Sequence, residues 1–335
     1  MMLGYDGTPC YLPSDNCPIY YAYWMYRPSF SINTTFLVLF GISFITFVIQ
    51  GATNRKWLAF SSAMAAGCAL EVIGYIGRIL AHEDMFSEAN ADTVQNPFLI
   101  QIVCLTIGPA FLAAGLYLCL SRIVTTIGPE NSRIKPYSYP KIFIPCDVVS
   151  LVLQAIGGGM ASVAIHRGEN PTKGDRVMIA GLAFQVATMF AFILISADFA
   201  WRTFRGRKAP SLPVPNQSQQ AIRQSRSFKA FIIALTLSTL CIFTRCVFRV
   251  AELSEGWRGY LATTQRYFIG LEGAVVIASV LLMNICHPAF CFKDVKGASA
   301  GQSEKKTCFG RWRFSGNHSE ASENKLTRVT TEPSK

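Results

Sequence analysis

Seven stretches of the chain run through mostly apolar residues for about 20 positions each, the length of a membrane-crossing helix. They lie near 30–50, 57–80, 98–120, 141–165, 177–200, 228–251 and 266–290. At a rise of about 1.5 Å per residue each spans roughly 30 Å of hydrocarbon, so the pattern predicts an all-α polytopic membrane protein with seven transmembrane helices. The pattern also divides the chain into an outer segment (1–28), a seven-helix bundle (29–290) and a polar tail rich in Ser and Thr (291–335). The tail reads as a disordered, basic, cytosolic segment open to phosphorylation, lipid contact and cytosolic regulators.

Composition supports this division. The chain has 335 residues, 51% of them apolar and only 15% charged, proportions foreign to a soluble protein of this length. The formal net charge of +11 would suggest nucleic acid in a soluble chain. Here the basic residues gather in alternate connections, 22 on one side against 6 on the other with three inside the spans. That asymmetry predicts an outer N-terminus and a cytosolic C-terminus, and it leaves nucleic acid out as a partner. The first 28 residues contain no apolar signal-peptide core, so the first span is expected to act as an uncleaved anchor. Cys10 and Cys17 share the outer segment, which leaves one disulfide or two thiols open there. Cys291 and Cys308 lie among basic and aromatic residues of the tail, as palmitoylation sites or free thiols. The Asn33-Thr34-Thr35 sequon sits too close to the first span for efficient glycosylation.

Charges inside apolar stretches are the informative exceptions. In the sixth window Arg245, Arg249 and Glu252 recur at spacings of four and seven, within a sector of about 60° on one helical face. Ionised groups at that depth cost at least ~2.5–3.5 kcal/mol, so they require partners on neighbouring helices. Counting along each span places Glu71, Arg78 and Glu272 in the same outer layer, three acids against three arginines, as mutual neutralisation predicts. In the third window Gln101 lies in the outer third and Tyr117 nearer the cytosol. Pro109 there is expected to bend the helix and free a carbonyl for another group. The fourth window carries Asp147 and Gln154 seven apart on one face, then Gly157-Gly158-Gly159, which predicts close helix contact. Gln185 is buried in the fifth window, and Asp198 is interfacial at its end. Of the histidines, only His287 lies near the bundle core, where it reads as a helix-end polar group rather than part of a metal site.

These pieces occur in an order that resembles the fungal lipid-translocating exporter family, the RTA-like proteins. The likeness rests on Pro28-Ser29 with Asn33 and Phe36, Glu71-x-x-Gly74-Tyr75-x-x-Arg78, and Gly108-Pro109 with Ala113, Ala114, Tyr117 and Arg122. It continues through Asp147 to Gln154 and the triple glycine, Gly181-Leu182 with Gln185, Arg245-x-x-Phe248-Arg249-x-x-Glu252, Glu272, and His287-Pro288. Gln265 stands where relatives tend to carry an acid before the last span. The resemblance implies a plasma-membrane protein, or one of the vacuole or another endomembrane, tied to efflux of sphingoid bases or sterol analogues and to resistance against toxic amphipaths.

A cationic headgroup crossing hydrocarbon needs a polar path and a counter-charge. The expected path comprises Asp147 and Gln154 below and Glu71, Glu252 or Glu272 above, with Arg78, Gln101, Tyr117, Gln185, Arg245 and Arg249 completing the polar core. The alternative role for these charges is to fasten helices two, six and seven together. A non-enzymatic exporter of amphipathic lipids, without cofactor or metal, is therefore expected, with membrane lipids and amphipathic small molecules as partners and oligomeric state left open. A seven-span lipid or stress sensor is the competing reading, although the third span ends Leu-Ser-Arg-Ile-Val rather than Asp-Arg-Tyr. No Lys lies inside a span to form a retinal Schiff base.

Overall fold

The computed structural model describes residues 26–83, 97–127, 132–167, 169–205, 226–256 and 259–290. Cys10, Cys17 and the tail from 291 onward lie outside them. Six long helices follow the apolar windows: α1 (Phe30–Thr53), α2 (Leu58–Glu83), α3 (Pro97–Ile127), α4 (Ser138–His166), α5 (Thr172–Arg205) and α6 (Arg226–Ser254). The seventh span, Gln265–Phe290, is composite. A turn at Gln265–Tyr267 leads into a π-helical stretch, Phe268–Ala274, and then α7, Val275–Ile285. All seven are long and apolar enough to cross a membrane, and the chain is a multi-pass, all-helical membrane protein.

Consecutive helices pack against one another and α7 returns to α1, closing a ring, while α3 also reaches across to α6. In lipid the hydrophobic effect does little to hold helices together, so close packing and polar ties must do it. Glycine supplies the packing. On α2, Gly67 and Gly74 are pressed by Leu112 and Leu105; on α3, Gly108 and Gly115 are pressed by Glu71 and Met64. Between α4 and α5 the approach is backbone to backbone. A Cβ on Gly157 would lie 2.4 Å from the Met178 nitrogen, and one on Gly174 would lie 2.4 Å from the Ala161 nitrogen.

The triple glycine therefore does serve helix contact, but through one member: Gly159 has nothing within 4 Å of its missing Cβ. Gly157→Ala is expected to lower stability by about 2 kcal/mol through overpacking. Gly159→Ala should leave it unchanged or raise it by up to ~1 kcal/mol through helix propensity. Thermal melting of the two purified variants checks the contrast.

Polar ties cross the remaining seams. Ser238 Oγ donates to the Ser279 carbonyl at 3.1 Å, joining α6 to α7, and Gln50 Nε2 donates to the Asn284 carbonyl at 3.2 Å, joining α1 to the seventh span. Asn33 is buried with its Nδ2 donating to the Ser29 carbonyl at 2.7 Å, so the sequon side chain is part of the helix start. His287 is fully buried. The Ala289 N–H donates to its Nδ1 at 3.2 Å, which leaves the proton on Nε2 to be shared with Ser61 Oγ at 3.1 Å. It is thus a strut between the seventh span and α2, enclosed by Phe47, Phe60 and Phe290. Among the described residues no cluster of three or more His, Cys, Asp or Glu is arranged to hold a metal.

At the end of α5, Asp198 accepts from Arg133 Nε at 3.0 Å and from Arg202 Nε at 2.9 Å. Its side chain is 34% exposed and the arginines more so, so water screens both pairs. Asp198→Asn is expected to change stability by less than ~1 kcal/mol on thermal melting.

Candidate functional site

Buried charge and polarity gather in two clusters, one built mainly by α2, α3, α6 and the seventh span, the other by α3, α4 and α5. The first is organised by Arg245 on α6, 1% exposed. Its Nη2 donates to Glu272 Oε1 at 2.6 Å and also to the carbonyl of Leu105. Leu105 lies four residues before Pro109, whose missing N–H leaves that carbonyl without its helical donor. The proline's expected free acceptor is therefore Leu105, and Arg245 takes it.

Glu71, 2% exposed on α2 and packed over Gly108, lies within Coulombic reach of both Arg245 and Glu272. Two buried carboxylates thus surround one guanidinium. Glu272 Oε2 and Arg245 Nε lack hydrogen-bond partners, so the pairing is incomplete. Such a pair contributes little net stability when intact but is costly to break from one side.

Glu272 sits inside the π-helical stretch, between Gly270 and Gly273. A Cβ on Gly273 would lie 2.7 Å from the Phe36 ring and 2.9 Å from the Tyr75 hydroxyl. Only a bare backbone lets the seventh span come this close to α1 and α2, and the wider turn aims Glu272 at Arg245. Short π segments occur frequently at functional sites.

Of the other two arginines, Arg249 is neutralised by one of the three acids, Glu252, and Arg78 is not. Arg249 Nη1 pairs with Glu252 Oε2 at 2.6 Å, an ion pair within α6 rather than to a neighbouring helix. Its Nη2 reaches Thr106 Oγ1 on α3 at 3.5 Å. Arg78 makes no ion pair to Glu71 or Glu272; among the described residues its partners are aromatic. The guanidinium lies 3.6 Å from the Phe268 ring centroid and 5.6 Å from that of Tyr26, whose hydroxyl accepts from Nη2 at 2.5 Å. A planar, weakly hydrated guanidinium stacks well, and buried cation–π contacts of this kind stabilise by about 2 kcal/mol. The Tyr75 phenol stands within electrostatic reach of Glu71, Arg78, Arg245 and Glu272, yet its hydroxyl has no hydrogen-bond partner.

The second cluster centres on Asp147 of α4, 4% exposed. Among the described residues no Lys or Arg pairs with either carboxylate oxygen, and neither lies in a close, well-aligned hydrogen bond. The Tyr117 hydroxyl on α3 and the Thr188 hydroxyl on α5 are within reach to donate to it, and they also donate to Met189 Sδ at 3.3 Å and to the Gln185 carbonyl at 2.9 Å. Tyr117, Phe143 and Phe192 form an aromatic trio with centroid separations of 4.6 to 5.4 Å. Above Asp147 on the same helical face, Ser150 Oγ donates to the Asp147 carbonyl at 2.8 Å, and Gln154 Nε2 donates to Gln185 Oε1 at 3.2 Å across to α5. Cys246 on α6 lies within electrostatic reach of Asp147, Arg245 and Glu272, and so stands between the clusters. Gln101 is buried early in α3.

Sequence reasoning missed Phe268, Thr106 and Thr188, and named Tyr75 only as part of the family motif. Tyr75 had a signal, because it lies four residues after Glu71 on the same face. Phe268 had none, since it reaches Arg78 through the π segment.

Comparison with known proteins places this geometry. A family model described as "RTA1 like protein" matches residues 64–295. The "Sphingoid long-chain base transporter RSB1" of Saccharomyces cerevisiae is 36% identical over 289 residues, covering 79% of this chain and 73% of the relative. "Protein RTA1" of the same organism is 27% identical over 78% of this chain and 84% of its own length. "Protein RTM1" is 30% identical over 66% and 67%. No solved structure matches the chain. With the matched region running from α2 through the seventh span, the chain belongs to the RTA1-like family.

Proposed function

We propose that this protein translocates amphipathic lipids, with sphingoid long-chain bases as the substrate class, from the inner toward the outer leaflet of the plasma membrane. The same activity would remove sterol analogues and other toxic amphipaths and so confer resistance. The observation that carries this reading is Asp147: a buried carboxyl with no counter-charge among the described residues, beside an aromatic trio, within a helical bundle. An ammonium headgroup supplies the missing charge, and aromatic faces attract the same cation. The name of the 36% identical relative supplies the substrate class.

In this reading the headgroup passes from Asp147 along the face bearing Ser150 and Gln154, while the acyl chain stays in lipid. Glu71 and Glu272 form the upper acceptor, where a second cation competes with Arg245 for two carboxylates. The chain's residues bind and release the substrate without forming or breaking a covalent bond to it, so the activity is not enzymatic.

The test is leaflet exchange of a fluorescent sphingoid base in vesicles carrying the purified full chain. The expected result is exchange well above that of protein-free vesicles. Exchange at the protein-free rate, together with a cytosolic signalling response to the same lipid in cells, would replace transport by sensing.

A further inference from the structure

Asp147 differs from every other buried acid described in the bundle. Glu272 and Glu252 each hold an arginine at 2.6 Å, and Glu71 shares Arg245. The elements packed around Asp147 offer no such partner. The titratable groups facing it are the Tyr117 phenol from α3, the Cys246 thiol from α6 and the Cys146 thiol on its own helix. α5 contributes Thr188 and Met189, neither of which carries charge. Arg245, which shares Cys246 as a neighbour with Asp147, is engaged by Glu272 and the Leu105 carbonyl. A carboxyl so placed favours the neutral acid, because ionising it there without a counter-charge is costly.

A cation arriving at this group therefore has to displace a proton. We propose that Asp147 exchanges its proton for the ammonium head of the substrate, so that each amphipathic cation moved one way is balanced by one proton moved the other. This inference rests on the transport reading and adds its coupling. When the base binds, the acid O–H bond breaks, the proton leaves to the adjoining aqueous phase, and carboxylate and ammonium remain as an ion pair of zero net charge. When the base departs to the opposite leaflet, a proton from that side re-forms the acid. No oxidant, nucleotide or net charge movement is involved, and an outside more acidic than the cytosol drives the base outward.

The test uses the full chain in phosphatidylcholine vesicles with a trapped pH dye and two probes, sphinganine and a sphingosine whose headgroup is a fixed trimethylammonium. The fixed charge cannot cross as a neutral amine. With a pH step of about one unit across the membrane, the fixed-charge probe is expected to gather about tenfold in the leaflet facing the more acidic side, matching the proton ratio. Protons should appear on the other side one for one, and clamping the potential with valinomycin and potassium should change nothing. Asp147→Asn should lose both movements, whereas Asp147→Glu, which keeps an acid there, should retain part of each.

Probe movement that ignores the pH step, or that builds a membrane potential, overturns the exchange and leaves transport standing. Movement of sphinganine alone, with the fixed-charge probe left behind, does the same. No protein-dependent movement of either probe overturns both readings. These arms use the unaltered chain, so they decide the matter even where a variant fails to fold.

Discussion

Arg245→Ala is expected to cost about 3–5 kcal/mol of stability, the usual penalty for removing one side of a buried ion pair, and to yield little folded protein. Three losses coincide at that position. Glu272, 3% exposed, loses its partner at 2.6 Å. Glu71 loses its nearest compensating charge. The Leu105 carbonyl, already without a helical donor because of Pro109, loses its remaining one.

A second substitution is expected to rescue the first. Replacing Arg245 and Glu272 together by Met removes both charges at similar volume and should recover most of the lost stability, because the intact pair is worth little beyond its own desolvation cost. Glu71→Gln in the same background should complete the recovery. Melting temperatures of the purified single, double and triple variants, read as a thermodynamic cycle, check this directly. Equal damage from the single and double variants would show that shape rather than charge is what Arg245 supplies.

The second large effect falls on activity. Asp147→Asn is expected to bring translocation down to the protein-free rate while leaving the melting temperature close to wild type. An amide is nearly isosteric with the acid and needs no counter-charge, so the fold loses little. The substrate loses the carboxyl that, among the described residues, has no counter-charge in the second cluster. Glu272→Gln behaves differently: it strands Arg245 in the core and should lower activity and folded yield together. The two substitutions, equivalent on the sequence, thus separate a group reserved for cargo from one committed to holding helices.

Much of this arrangement is legible along the chain, because depth follows from counting. A rise of about 1.5 Å per residue sets Arg245, Glu272 and Glu71 in one layer before any coordinates exist. Pro109 announces its free carbonyl by its chemistry, and the triple glycine of α4 announces close contact. Counting residues fixes depth but not azimuth between helices, and that is where the reading falls short. Arg78 shares the layer yet turns to Phe268 and Tyr26, because a guanidinium also stacks on aromatic faces. Arg249 pairs within its own helix because Glu252 is three residues away, a shorter path than any partner across the seam.

The π segment escapes sequence reading for a related reason. Its extra residue per turn is stabilised by Phe36 and Tyr75 closing over Gly273, contacts that come from other helices. Its one local trace is the Gly270-Leu271-Glu272-Gly273 run. Likewise only Gly157 of the three consecutive glycines is needed for contact, since on a helix adjacent residues point about 100° apart.

The most direct test of the central claim is infrared difference spectroscopy of the reconstituted full chain as sphinganine is added. Loss of a carboxylic acid C=O band, with gain of a carboxylate band, is expected in the wild-type protein and should vanish in Asp147→Asn. A spectrum with no such exchange, or one unchanged by that substitution, would contradict the claim that the substrate's ammonium takes the place of a proton on Asp147.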